Sequence, residues 1–122
     1  MTATFDSSAW IALFRGEDAA KQIQKITAST EIIYTSAVSL LEIRSACERI
    51  KMPWEKPIGY IAKRAKIVPA DSEICLLAAE KKITHKLHTV DAIIYATSAK
   101  TESVLYTKDR DFENNDGVEL IE

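Results

Sequence analysis

Cysteine, histidine and glycine are scarce in this 122-residue chain, with two, two and three copies respectively. Cys47 and Cys75 stand alone on predicted helices, with no Cys-x-x-Cys or Cys/His spacing, which argues against a cysteine-based metal site and leaves two buried thiols as the expectation. Unpaired thiols suit a reducing compartment, hence the cytoplasm. Gly16, Gly59 and Gly117 are isolated from one another, so no glycine-rich loop is available to cradle a phosphate. No apolar run approaches the ~20 residues that a membrane helix needs. Nor does any succession of basic, apolar and small residues mark a signal peptide. Neither sign of charge dominates: 16 Lys and Arg face 18 Asp and Glu for a net charge of −2. That balance removes a global electrostatic case for nucleic acid and leaves only a local one open. Aromatic residues are only 7% of the chain. Trp10, Trp54 and Phe112 are therefore expected in the core or at an interface rather than as base-stacking platforms.

What the chain does have is a steady alternation of short β-rich runs with longer helical ones, uninterrupted by linker or repeat, which predicts one domain over residues 1–122. Strands are predicted at Thr2 to Phe5, Glu31 to Thr35, Lys66 to Pro69, Ser103 to Thr107 and Val118 to Ile121. A helix carrying Trp10, Ile11, Leu13 and Phe14, capped by Ser7 or Ser8, should stop near Gly16, with a second from Glu17 to about Ile26. Ser36 should start a third helix, carrying Val38, Leu41, Ile43 and Ala46 and closed by Pro53. Further helices are read from Trp54 to Arg64, from Glu73 to Lys82 behind a cap at Asp71 or Ser72, and from Val90 to Lys100 behind Thr89. No two strands are joined by a hairpin turn, so the fold class is α/β, a parallel sheet covered by helices on both sides.

Five acids fall where a strand ends or a helix begins, and in an open α/β sheet such positions converge on the crevice outside the carboxyl ends of the strands. Each has a plainer explanation when taken alone. Asp6 could cap a helix, although Ser7 and Ser8 supply capping groups that would leave it free. Glu42 lies three residues after Ser39, as in a capping box, but the apolar run opens at Ala37 and places Glu42 well inside its helix, next to Leu40, Leu41 and Ile43. Asp91 sits in a first helical turn, where the dipole favours negative charge. Asp109 or Asp111 could turn the chain after the fourth strand, but two acids exceed what a turn needs. If three or four of these acids gather, each pair ~5 Å apart repels by roughly 3 kcal/mol at an effective dielectric near 20. Such a cluster requires a cation or protons. Oxygen donors without His or Cys favour Mg²⁺ or Mn²⁺ over Zn²⁺.

These residues also carry a resemblance. Phe5-Asp6-Ser7-Ser8, the run Ser36-Ala37-Val38-Ser39-Leu40-Leu41-Glu42-Ile43, the motif Asp91-Ala92-Ile93-Ile94-Tyr95-Ala96, and Thr107 to Phe112 follow in the order and spacing of the PIN-domain family. Within it, the chain resembles the VapC-type toxin ribonucleases of toxin–antitoxin pairs. The resemblance implies a three-layer α/β/α fold with a five-stranded sheet, metal-dependent endonuclease activity on single-stranded RNA, dimerisation, and restraint by an antitoxin.

On that resemblance the reaction would be phosphodiester hydrolysis, with Asp6, Asp91 and Asp109 in contact with metal. Glu42 would contact a second ion or orient the water, and Asp111 would bind directly or through water. Ser7 and Thr107 would hold a carboxylate or a phosphate in place. Lys108 and Arg110 are the basic residues positioned to meet substrate, while Lys63, Arg64, Lys81 and Lys82 read as solvated helix faces. His85 and His88 are expected to be solvent-exposed and outside the chemistry. A non-catalytic module of the same fold that binds RNA or protein is the alternative. A haloacid-dehalogenase-like phosphatase would require Asp-x-Asp where this chain has Asp6-Ser7-Ser8.

Overall fold

The computed structural model describes residues 2–122. Five strands and six α-helices follow one another as β1 (Thr2–Phe5), α1 (Ser7–Arg15), α2 (Ala20–Ser29), β2 (Ile32–Ser36), α3 (Ala37–Arg49), α4 (Glu55–Arg64), β3 (Lys66–Val68), α5 (Ser72–His85), α6 (Thr89–Lys100), β4 (Val104–Thr107) and β5 (Val118–Leu120). A 3₁₀ turn, Arg110–Phe112, lies between β4 and β5. The strands form one sheet in the order β3-β2-β1-β4-β5, and every pairing is parallel. The chain therefore winds outward from β1 through β2 to β3, then returns to the other side of β1 with β4. The reversal leaves a crevice between β1 and β4 at the carboxyl ends of the strands.

Strand alternation divides the core into two clusters, one on each face of the sheet. Ala3 and Phe5 of β1, Ile33 of β2 and Tyr106 of β4 pack with Trp10, Ile23, Ile43 and Ile61 from α1 to α4. Leu105, the residue before Tyr106, turns the other way and packs with Ile74, Ala92, Ile94, Ala96 and Phe112. Helix α6 is buried along much of its length, from Ala92 through Ser98 apart from Ile93, because α5 covers its outer side. Small residues permit that approach: Ala78 of α5 and Ala92 and Ala96 of α6 are all buried.

Several local expectations are corrected. Asp6 itself, not Ser7 or Ser8, is the N-cap of α1, accepting from the Ala9 N–H at 3.0 Å. Thr89 lies inside α6, and His88 holds the cap position without a side-chain bond. Helix α2 starts at Ala20 because Glu17 belongs to the turn that follows Gly16, whose φ of 63° terminates α1 in the left-handed conformation. Cys47 is buried but Cys75 is exposed, at a groove between α5 and α6, so only one thiol is a core residue. Arg64 is not a solvated charge: its guanidinium is half-buried and donates to the carbonyls of Thr27 at 2.8 Å and Thr30 at 2.6 Å, closing the end of α2.

A buried polar chain sits beneath the crevice. The Trp10 indole donates to the Thr35 hydroxyl at 3.3 Å, and that hydroxyl donates to the Phe5 carbonyl at 2.8 Å, joining α1, β2 and β1. Thr35→Val keeps the shape and strips the hydroxyl, leaving the indole N–H and a carbonyl unpaired. A loss of about 1–3 kcal/mol is expected, read in urea unfolding as a lower midpoint at unchanged slope; an unchanged midpoint would contradict this account.

Candidate metal centre

Asp6 is placed by β1, which ends at Phe5, and by α1, which needs a cap at its first turn. It is buried, with 3% of its surface exposed. Its Oδ1 accepts from the Ala9 N–H and, at 2.6 Å, from the Ser8 hydroxyl; its Oδ2 accepts from the Thr107 hydroxyl at 2.5 Å. Each of these hydroxyls also accepts a backbone N–H from the end of β4, Ser8 from Lys108 and Thr107 from Asp109, both at 2.9 Å. Two hydroxyls thus relay one carboxylate to two amides and bind the end of β1 to the end of β4. Capping and membership of the acidic site do not exclude one another at Asp6, because capping occupies only part of Oδ1.

Glu42 lies inside α3, whose cap is Ser36, accepting from the Val38 N–H at 3.3 Å. The capping box with Ser39 does not form, since Ser39 is already helical and buried. Glu42 instead accepts from the Ser7 hydroxyl at 3.1 Å, which ties α3 to α1. Asp91 extends from the first turn of α6, and Asp109 caps the 3₁₀ turn by accepting from the Asp111 N–H at 2.9 Å. One carboxylate oxygen from each of Asp91, Asp109 and Asp111 can be chosen so that all three lie within 4.8 Å of one another. Asp6 and Glu42 stand close enough to this trio to be felt electrostatically.

The electrostatics follow from crowding and burial. Burial, together with repulsion from Asp109, Glu42, Asp111 and Asp6, pushes the Asp91 carboxyl up to about 6. Asp6 is raised by its burial against the opposing pull of Ser8, Thr107 and Ala9, and Glu42 by burial, with repulsion from Asp6 and Asp109. Oxygen donors alone line this edge, the chemistry that hard divalent ions accept.

The surrounding bases are engaged elsewhere. Lys108 pairs with Glu17 at 2.5 Å, and Arg110 lies 3.5 Å from both Glu113 and Glu122. These exposed pairs are weak and exchangeable, about 0–1 kcal/mol each. A concavity of about 270 Å³ lies away from the acids, with Ile11, Phe14, Ile43, Cys47 and Met52 among its walls. Ser8 is the site residue that sequence reasoning missed. The available clue is the pair of hydroxyls directly after a strand-ending Asp, of which Ser7 is expected to hold a carboxylate and Ser8 only to cap.

Because Asp91, Asp6 and Glu42 hold protons more tightly when folded, the folded chain binds more protons than the unfolded one through this range, and stability falls as pH rises. For Asp91 the window runs from the ordinary value of 3.8 to about 6. Without divalent ions, the melting temperature of the protein is expected to be lower at about pH 7.5 than at about pH 5, and Asp91→Asn should narrow the gap. Melting curves recorded in chelator decide this; a gap that Asp91→Asn leaves unchanged would count against the site's repulsion.

Comparison with known proteins supports a definite family. A search of curated proteins finds no match. Among solved structures, a toxin–antitoxin complex from Klebsiella pneumoniae is 25% identical, covering 96% of this chain and 95% of that one, with a TM-score of 0.81. A Mycobacterium tuberculosis VapC toxin described as cleaving the sarcin–ricin loop is 21% identical, with coverages of 98% and 99% and a TM-score of 0.81. VapBC2 of Rickettsia felis, bound to a promoter DNA fragment, is 12% identical over the whole of both chains, with a TM-score of 0.79. The family profile described as PIN domain matches residues 3–118, so that a doubly wound five-stranded sheet edged by these acids has a family to which it belongs: the chain is a member of the PIN domain family.

Proposed function

We propose that this chain is a metal-dependent endoribonuclease, the toxin of a toxin–antitoxin pair, acting as one nuclease domain across residues 1–122. The observation that carries the reading is the meeting of Asp91, Asp109 and Asp111 oxygens within 4.8 Å, beside a buried Asp6. Three carboxylates so close repel by roughly 3 kcal/mol per pair at an effective dielectric near 20. An all-oxygen set at this spacing fits Mg²⁺ or Mn²⁺, which would be held by Asp91 and Asp109, with Asp6 and Asp111 adding direct or water-mediated contacts and Glu42 available to a second ion. When bound, such an ion supplies Lewis-acid charge for the hydrolysis of a phosphodiester.

The chain's own residues divide the remaining work. Asp6 has three hydrogen bonds on its two oxygens, two of them on Oδ1, which leaves Oδ2 the freer atom to face the crevice. Glu42, held by Ser7, is the carboxylate placed to accept a hydrogen bond from the attacking water and aim it. Thr107 and Ser8 keep Asp6 from rotating. Lys108 and Arg110 exchange their carboxylate partners for RNA phosphates. The chain acts in the cytoplasm, where an antitoxin restrains it, a role supported by the toxin–antitoxin complex among its structural neighbours. Among the described residues no helix is long and apolar enough to cross a membrane. Exposed Leu41 and Ile50 on or beside α3, with Leu76 and Ile83 on α5, offer apolar area that a homodimer or the antitoxin would cover.

Purified protein incubated with single-stranded and structured RNA should cleave with Mg²⁺ or Mn²⁺ and stop on chelation. Asp6→Asn and Asp91→Asn should each lower the rate by more than the ~100-fold that losing a metal ligand's own partner can cost. Asp6→Asn should stay folded, because an amide oxygen still caps α1. Cleavage that survives chelation, or equal cleavage by the variants, would sink the nuclease reading. Binding of RNA without cleavage under every metal condition would favour the non-catalytic module.

A further inference from the structure

Asp91 and Tyr95 stand one turn apart on α6, on the same side of that helix. Asp91 reaches the acid cluster, and Tyr95 donates its hydroxyl to the Asp116 carbonyl at 2.7 Å. Asp116 lies in the connection 108–117 between β4 and β5, the segment that carries Asp109 and Asp111. A second tie meets the first. His85, the last residue of α5, places Nδ1 2.9 Å from Asn115 Oδ1 and sets its ring edge-on to Tyr95, with centroids 4.9 Å apart and planes at 62°. With Asn115 Oδ1 as acceptor, Nδ1 carries the proton. His85 is half-buried by this arrangement, against the expectation of a solvent-exposed helix end.

The connection is tied at its start by the Lys108 N–H to Ser8, and its 3₁₀ turn is held by the Asp109 cap and by the Phe112, Glu113 and Asn115 amides. Asn114 and Gly117, on either side of the clamped pair, have φ of 69° and 76°. Asn114 thereby occupies the left-handed region that side-chain-bearing residues populate sparsely. From Phe112 onward the connection is anchored by that ring, fully buried against the α5–α6 side of the sheet, by the Tyr95 and His85 contacts, and by the Leu105 N–H bond to the Gly117 carbonyl at 2.8 Å. Neither Tyr95 nor His85 is among the acids of the site.

We propose that Tyr95 and His85 are positioning residues for the cation site. Helix α6 supplies one carboxylate through Asp91 and, one turn later, sets its distance from the other two by clamping the segment that carries them. This rests on the cation reading given above, and its test separates the two. Tyr95→Phe keeps the ring against His85 and removes only the hydroxyl; Asn115→Ala removes the acceptor for His85.

In metal-free protein, amide hydrogen exchange should quicken within residues 109–117 for both variants, while β1, β4 and α6 keep their protection. Mn²⁺ affinity, read from the electron paramagnetic resonance of free Mn²⁺, should weaken about 10-fold, the lower end for loss of a ligand's supporting partner. Cleavage at saturating Mn²⁺ should stay within about twofold of wild type, so that the defect lies in affinity and not in the chemical step. The proposal is overturned by unchanged exchange in 109–117, by Mn²⁺ titrations that superpose on wild type, or by a rate loss that saturating Mn²⁺ does not restore. If wild-type protein takes up no Mn²⁺, the cation reading falls and this role falls with it, a result told apart because any exchange difference would then stand alone.

Discussion

The acidic edge depends on the hydrogen bonding of one buried carboxylate. Asp6 receives the Ser8 and Thr107 hydroxyls and the Ala9 amide, and through those hydroxyls the amides of Lys108 and Asp109. A buried carboxylate without donors would protonate or be expelled. With them, it becomes the bolt between β1 and β4, the two strands that flank the switch point of the sheet. The first two amides of the segment after β4, those of Lys108 and Asp109, are bound by this bolt, which ties the start of the segment carrying Asp109 and Asp111 to Asp6.

Opposed to that ordering is repulsion. Asp91 is raised to about 6 by burial first and by its four acidic neighbours after it, so this edge disfavours further negative charge. The repulsion is tolerated because the acids come from separate rigid elements, α1, α3, α6 and the 3₁₀ turn, each anchored in the core through Trp10, Ile43, Ile94 and Phe112. No single local rearrangement can separate them all. An edge built this way is suited to receive positive charge, which on binding would offset that repulsion.

Much of the fold was legible because hydrophobic periodicity is a local property. The strand at Thr2–Phe5 and the helix starting after Ser36 follow from β-branched and aromatic runs and from a serine cap. Boundaries failed where polar residues compete for the same cap. Asp6, Ser7 and Ser8 all qualify chemically, and Asp6 takes the position because its backbone is extended where Ser7 and Ser8 are already helical, their hydroxyls donating to Glu42 and to Asp6 itself. Arg64 looked like one of a run of solvated charges; only the arrival of the end of α2 beside it supplies the two carbonyls that half-bury it. Cys75 has the character of a core thiol, but it stays exposed at the groove that α5 forms with α6.

The sequence by itself determined the elements, the parallel α/β class and the identity of the acids, since these depend on residue type and short-range spacing. It also carried the PIN motifs, whose family the chain shares. Only the tertiary structure decided which oxygens meet, because Asp91, Asp109 and Asp111 are brought within 4.8 Å by strand order and helix packing rather than by proximity along the chain. The same holds for the hydroxyl relay through Ser8 and Thr107 and for the clamp of Tyr95 and His85 on the connection before β5. Each joins groups whose partners are chosen by long-range packing, and a hydrogen bond of that kind has no periodicity to betray it in the sequence.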